Sequence, residues 1–367
     1  GGGGARAAYQ VGVLLAIREL LGDSTENPFP ILCGTSAGAV NVATLACNAG
    51  NFRAAVDALA DVWRNMHAGQ IYRADPMGVT ASGGRWLAAL LLGWAIGRSP
   101  RSLLDNRPLR KLLVQRLDFR NIERSIRKGR LYAVSITASG YTTGDGISFF
   151  QAHPAVESWR RTQRAGCRAF LTVDHLLASS AIPFLFPAVH LNREYCGDGS
   201  MRQLAPISPA IHLGAEKILI IGVGQPNDLT QRWSSRDYPT LAQIAGHALS
   251  SIFLDSLAVD VERMERINRT LSKIPDDLWA TGEIPLRPLR SLTITLSERL
   301  DDLAARHVEA LPLAVRTLLR GLGATHRRGG VLTSYLLFEG AYTGALIDLG
   351  YKDAMARQCE VDQFLAF

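Results

Sequence analysis

The stretch Pro30-Ile31-Leu32-Cys33-Gly34-Thr35-Ser36-Ala37-Gly38 decides the fold. It predicts a short apolar strand, a sharp turn and then a helix that continues to about Asn48. Its last five residues fit the pattern G-x-S-x-G, in which the serine is lifted clear of the backbone and the helix N-terminus favours negative charge. The context predicts that Ser36 is a nucleophile; the alternative is a turn of small residues.

A glycine run precedes this stretch and leads directly into a helical pattern from Ala7 to about Leu21. In Gly2-Gly3-Gly4-Ala5-Arg6, consecutive glycines let backbone N–H groups converge on an anion, either a phosphate or an oxyanion. Gly2, Gly4 and Ala7 also satisfy the dinucleotide fingerprint, with Asp23 near the distance of a ribose-binding acid. The dinucleotide interpretation is disfavoured because Asp23 precedes the next strand, which ends in the serine turn.

The remaining chain alternates strands and helices up to about residue 225 and is mostly helical beyond it. The continuous apolar run after residue 216 predicts a buried parallel strand. Amphipathic spacing predicts helices over residues 240–272 and 292–320. The pattern favours an α/β core followed by a helical region, with strands over Leu131–Thr137, Ile147–Gln151, the hairpin Val189–Cys196, and Lys217–Val223.

Composition excludes several classes of protein. Of 367 residues 47% are hydrophobic, which excludes a disordered chain. Five scattered cysteines without a C-x-x-C pair argue against a disulfide framework or a zinc site. The formal net charge is +7, and nearly all of the cationic residues are arginine. This indicates either a solvated basic surface without a partner or an anionic partner, and no nucleic-acid signature accompanies it.

Four blocks of the sequence resemble the patatin-like phospholipases, in particular bacterial ones. The glycine run and the serine turn match that family's glycine box and G-x-S-x-G motif, and Ala178–Pro187 and Gly197-Asp198-Gly199 resemble its A-S-x-A-I-P-x-x-F-P segment and D-G box. The resemblance covers residues 1–225. It implies an α/β fold, a three-layer sandwich whose central, mostly parallel sheet has helices on both faces, plus a helical C-terminal extension over residues 226–367.

The resemblance further implies a serine acyl hydrolase that cleaves lipid acyl esters as a phospholipase A or lysophospholipase does. Ser36 would be the nucleophile and Asp198 its base, with no metal or organic cofactor. The resemblance also implies an oxyanion hole formed by Gly2, Gly3, Gly4 and Arg6. The nucleophile elbow would include Gly34 and Gly38, and the Asp-Gly box would include Gly199. The chain departs from the family pattern at Ala7 and Ser200, and neither change removes a reacting group.

Alternatives stay open at this point. Asp145-Gly146 is a second Asp-Gly pair, although its polar loop makes it an ordinary turn signal. A histidine could complete a triad, with His212 at a possible distance after Asp198; the candidates are His153, His175, His190 and His212. Two other classes also fit: a catalytically silent lipid-binding or scaffold protein of the same fold, and a nucleotide-binding regulator.

A membrane surface is the expected partner besides the lipid substrate. The eleven apolar residues Trp86–Ile96 fall short of the ~20 that span a bilayer. Flanked by Arg85, Arg98 and Arg101, they predict an interfacial anchor beside anionic headgroups, with core burial as the alternative. We expect a cytoplasmic or peripheral membrane protein of undetermined oligomeric state. Because the chain opens on Gly1 inside a motif, the original N-terminus is expected upstream and a signal peptide stays open.

Overall fold

The computed structural model describes residues 3–73, 102–224, 255–275, 286–321 and 330–366. Its helices are α1 Ala8–Leu20, α2 Ala37–Cys47, α3 Phe52–Arg64, α4 Ala68–Ile71, α5 Arg107–Arg116, α6 Arg120–Arg127, α7 Val173–Ser179, α8 Ser208–His212, α9 Asp255–Leu271, α10 Leu300–His307, α11 Leu313–Gly321, α12 Gly330–Leu336, α13 Gly340–Met355 and α14 Gln358–Leu365. Its strands are β1 Ile31–Thr35, β2 Ala133–Gly140, β3 Gly146–Ala152, β4 Trp159–Arg161, β5 Arg164–Arg168, β6 Val189–Leu191, β7 Glu194–Asp198, β8 Lys217–Ile221 and β9 Arg290–Ile294.

Strand β2 organises the main sheet. On one side it pairs with β3 along residues 133–139. On the other side its first half pairs in parallel with β1, up to Thr35 opposite Thr137. The next residues of β2 pair antiparallel with β7, beginning with Asp198 opposite Ala138. Because β1 and β7 approach this point of β2 from opposite directions, their carboxyl ends meet there.

The predicted α/β class is confirmed, with one correction to the sheet. Strands β1 and β2, β3 and β5, and β8 and β9 pair in parallel. The pairs β2–β3, β2–β7, β4–β5 and β6–β7 are antiparallel. Within the described ranges the main sheet, formed by β1 to β7, is therefore mixed rather than mostly parallel, and β8 and β9 form a separate parallel pair. Short hairpin connections account for this, since the chain turns directly from β2 to β3, from β4 to β5 and from β6 to β7.

The structure differs from the sequence prediction at several elements. The helical segment expected over residues 292–320 begins as strand β9, in which Leu292 and Ile294 are buried on alternate positions, and helix starts only at Leu300. The sequence does not predict strands β4 and β5, because these arginine-rich segments lack a continuous apolar pattern. The predicted interfacial anchor Trp86–Ile96 lies outside the described residues.

Helix α13 packs against α1 backbone to backbone. A Cβ atom on Gly12 would lie 2.0 Å from the Ile347 carbonyl oxygen, and one on Gly350 would lie 2.1 Å from the Tyr9 carbonyl oxygen. Only glycine allows this approach at either position. One apolar core consequently includes residues of both helices. No helix in the described parts of the chain is both long and apolar enough to cross a membrane.

Candidate active site

Ser36 occupies a strained turn between β1 and α2. Its backbone has φ 55° and ψ −133°, a region that costs a serine about 1–3 kcal/mol. Such a turn brings other backbone very close: a Cβ atom on Gly34 would lie 2.6 Å from Ala39 Cα and 2.7 Å from the Gly38 carbonyl oxygen. The two glycines of the G-x-S-x-G pattern therefore lie against each other at the turn. Ser36 is the N-cap residue of α2, where the helix dipole favours negative charge.

Ser179 holds the strained turn in place. The Ser36 N–H donates to Ser179 Oγ at 2.8 Å, and Ser179 Oγ donates in turn to the Thr137 carbonyl oxygen at 2.6 Å. Ser179 is fully buried at the end of α7. Ser179 belongs to the segment Ala178–Pro187, for which the sequence predicts no role in the site. The signal that could have identified it is its place as the serine of the A-S-x-A-I-P-x-x-F-P segment.

Asp198 ends β7 beside the serine turn. Ser36 Oγ donates to Asp198 Oδ2 at 2.6 Å, and the Ser200 N–H donates to Asp198 Oδ1 at 2.9 Å. The Asp198 N–H donates to the Ala181 carbonyl oxygen at 3.0 Å, which fixes the backbone of the aspartate. The register of β2 brings about this contact, because it places the ends of β1 and β7 at consecutive residue pairs.

Burial dominates the electrostatics of this pair. Ser36 is 1% exposed and Asp198 0%. Desolvation raises the pKa of Asp198 from 3.8 to about 6, although hydrogen bonds from Ser36 and Ser200 oppose the rise. At neutral pH the carboxyl group is therefore mostly ionised and yet more basic than an ordinary aspartate. A base of this strength can accept a proton from a hydroxyl group that it already contacts.

The glycine loop leads into a 3₁₀ turn, Gly4–Ala7, before α1. Gly4 has φ 56°, and a Cβ atom there would lie 2.2 Å from the Tyr335 carbonyl oxygen. Asn41 of α2 ties this turn to the serine helix, because its Nδ2 donates to the Ala7 carbonyl oxygen at 3.1 Å. Gly2, which the family resemblance also places in the oxyanion hole, lies outside the described residues.

The other predicted residues near the pair take clear positions. A Cβ atom on Gly199 would lie 2.0 Å from the Thr137 carbonyl oxygen, so this position accepts only glycine. Ser200 lies beside the pair, and its backbone N–H donates to Asp198 Oδ1. Ala7 is fully buried. The Arg6 guanidinium, expected in the oxyanion hole, contacts Ser334 and Tyr335.

The alternative residues lie in other surroundings. Asp145 forms a salt bridge with Arg160 at 3.4 Å in the turn between β2 and β3. His212 stacks on Trp159 with ring centroids 4.9 Å apart, and its Nδ1 lies 2.9 Å from the Ser208 carbonyl oxygen. His175 Nδ1 lies 3.0 Å from Thr172 Oγ1. Among the described residues, no histidine hydrogen-bonds to Asp198.

Comparison with known proteins adds to this geometry. The family model described as Patatin-like phospholipase matches residues 1–211. The chain is also similar to a cGAMP-activated phospholipase of Pseudomonas aeruginosa, with 29% identity over 209 residues, which are 56% of this chain and 52% of the relative. The chain thus spans about half the length of that relative. The predicted resemblance to the patatin-like phospholipases is confirmed. Because the family model covers more than half of the residues, the chain belongs to the Patatin-like phospholipase family.

Proposed function

We propose that this protein hydrolyses acyl esters of phospholipids or related lipids with Ser36 as nucleophile and Asp198 as its only protein base. The observation that carries the proposal is the 2.6 Å hydrogen bond from Ser36 Oγ to Asp198 Oδ2. In an isolated pair of this kind the carboxylate itself accepts the serine proton, without an imidazole between the two groups.

The reaction has two halves. In the first, Ser36 Oγ attacks the acyl carbonyl carbon while its proton passes to Asp198 Oδ2. The tetrahedral intermediate collapses, the ester C–O bond breaks, and the leaving alkoxide takes the proton from Asp198. In the second, water attacks the acyl–serine ester and gives a proton to Asp198, and Ser36 recovers a proton as the fatty acid leaves.

The tetrahedral oxyanion needs hydrogen-bond donors that are in place before the reaction. We assign this role to the backbone amides of the glycine loop, Gly2 to Gly4, as the sequence predicts. The proposal is supported by the bond between Asn41 and Ala7, which connects the start of α1 to the helix that carries Ser36. Removal of one such donor typically lowers turnover by about 10²–10³-fold.

We also propose that the enzyme works in peripheral contact with an anionic membrane. Phe184 supports this: it is 75% exposed and is held at φ 63°, a conformation that a phenylalanine adopts only under constraint. Its carbonyl oxygen accepts from the Leu103 N–H at 2.8 Å, so the loop that exposes the ring is fixed. The same segment contains Ala181, which accepts from the Asp198 N–H. The net charge of +7 suits anionic headgroups.

A second proposal is control of this activity by a nucleotide. The Pseudomonas relative is named as cGAMP-activated. In this chain the near-complete burial of Ser36 and Asp198 means that neighbouring atoms must move before a lipid carbonyl reaches the serine. Thermal melting with cGAMP, ATP or NAD tests the proposal. A rise in Tm and in hydrolysis rate with one of them is expected, and the absence of both effects would reject it.

Hydrolysis by the purified protein tests the main proposal. Wild type is expected to release p-nitrophenol from short-chain esters, and Ser36→Ala is expected to be inactive with an unchanged circular dichroism spectrum. Ser180→Ala is the matched control, because this serine follows Ser179 in the chain and its hydroxyl has no hydrogen-bond partner among the described residues. A wild type without activity towards esters and a phospholipid panel would favour a silent lipid-binding protein.

A further inference from the structure

The side chain of Arg6 connects the glycine loop to helix α12 in the C-terminal region. Arg6 is 1% exposed, and its Nε and Nη2 atoms donate to Ser334 Oγ at 2.8 and 2.6 Å. The Arg6 Cζ atom lies 4.2 Å from the ring centroid of Tyr335. Ser334 and Tyr335 are both fully buried. Charge-assisted hydrogen bonds and cation–π contacts of this kind are strong when they are shielded from water.

The same contact reaches the backbone of the loop. The Arg6 N–H donates to the Gly3 carbonyl oxygen at 3.1 Å, so the arginine is part of the turn that sets the direction of the preceding amides. Gly4 lies against the Tyr335 carbonyl oxygen so closely that a Cβ atom would overlap it. Residues 334 and 335 therefore contact both the main chain and the side chain of this turn. A displaced turn would move the donors by the fraction of an ångström to which such sites are sensitive.

These contacts come from a part of the chain that the family model does not match. The match ends at residue 211, whereas α12 spans Gly330–Leu336. The glycine box alone therefore does not define the loop in this protein.

We propose that Ser334 is a positioning residue for the oxyanion loop: it fixes Arg6, and through Arg6 the amides of Gly3 and Gly4. The proposal rests on the hydrolase function proposed above. Under this proposal a residue of the C-terminal region positions the backbone donors of the active site. Ser334 acts only through Arg6 and need not contact the substrate.

Steady-state kinetics of Ser334→Ala test this proposal. Loss of the acceptor should lower kcat by about 10-fold or more, because a hydrogen bond to a charged group is lost. KM should stay within about two-fold, because the oxyanion forms only in the transition state. The inhibition constant of a trifluoromethyl ketone, whose serine adduct has the same oxyanion, should rise by the same factor as kcat falls. Ser334→Cys, which keeps the volume but is a poor acceptor, should behave likewise.

Asn268→Ala is the matched control. Asn268 also makes two hydrogen bonds within the C-terminal region, to the Leu289 carbonyl oxygen at 2.7 Å and from the Leu289 N–H at 3.0 Å. It should leave kcat and the inhibition constant unchanged. Hydrogen exchange provides a readout that does not depend on activity: amides of residues 3–8 should exchange faster in Ser334→Ala and Ser334→Cys, but not in Asn268→Ala.

The outcomes separate the two proposals. Kinetic values within two-fold of wild type in a folded Ser334 variant, or equal losses in Asn268→Ala, would overturn the positioning role. If Ser334→Ala does not fold, Ser334→Cys decides by the same criteria. If wild type proves inactive, the hydrolase proposal fails, and unchanged exchange of residues 3–8 in the Ser334 variants would independently refute the positioning role.

Discussion

Replacement of Asp198 by asparagine should stabilise the protein while it abolishes activity. Burial raises the pKa of Asp198 from 3.8 to about 6, so folding makes the ionised carboxylate costly. A difference of about two pKa units corresponds to about 3 kcal/mol. Asparagine cannot ionise, yet it can accept from the Ser200 N–H and donate to Ser36 Oγ. At pH 8 Asp198→Asn should therefore unfold at a Tm higher by about 6 °C, at about 2 °C per kcal/mol.

The Tm difference between Asp198→Asn and wild type should depend on pH. Because the folded-state pKa lies above the unfolded value, protonation of Asp198 stabilises the fold, and this stability is complete below pH 3.8 and lost as pH rises through about 6. The Tm difference between Asp198→Asn and wild type should be near zero at pH 4, grow between pH 4 and 6, and level off above pH 7. Differential scanning calorimetry over pH 4–8 measures it directly.

Asp145→Asn is the control for this measurement. It changes the aspartate of the other Asp-Gly pair, which has a salt bridge with Arg160, and should give no increase in Tm at any pH. A Tm difference for Asp198→Asn that is zero or negative at pH 8, or that does not vary with pH, would refute the claim that this carboxylate is desolvated.

The pH profile, the glycine loop and the exposed Phe184 can each be tested separately. The kcat/KM of ester hydrolysis should rise with pH through about 6, where Asp198 loses its proton. His212→Ala and His175→Ala should keep most of the activity and the same pH profile. Loss of activity in either folded variant would indicate a triad. Gly3→Ala should lower kcat by about 10²-fold with little change in KM, because its Cβ atom would lie 2.8 Å from Val223 Cγ2 and 3.3 Å from Arg6 Cβ; a raised KM with unchanged kcat would indicate a binding role instead. Phe184→Ser should reduce sedimentation with anionic vesicles and leave hydrolysis of soluble esters unchanged, and equal binding by both proteins would exclude this residue from the membrane contact.

Local sequence predicts the parts of the site that depend on local geometry. The text around Ser36 predicts strand, turn and helix because G-x-S-x-G suits only a narrow choice of backbone conformations. The contact between Ser36 and Asp198 depends instead on strand register, because the two residues are 162 positions apart in the chain. The family resemblance supplied that pair, whereas periodicity alone could not.

Residues that act through long-range packing could not be predicted. Ser334 lies 328 residues from Arg6, in a helix whose sequence has no motif, and nothing local indicates its partner. The same holds for β9, whose five residues form a strand because β8 lies beside them. Tertiary context decided these positions, and short alternating stretches are compatible with either helix or strand.

Labelling with a fluorophosphonate, followed by peptide mass spectrometry, tests the central claim most directly. The reagent reacts only with an activated serine, so the account predicts one adduct, on Ser36, in the wild type. It also predicts none in Asp198→Asn, which keeps the fold but lacks the base. An adduct on another serine, or labelling of Asp198→Asn at the wild-type rate, would contradict the claim that Ser36 and Asp198 together form the reacting pair.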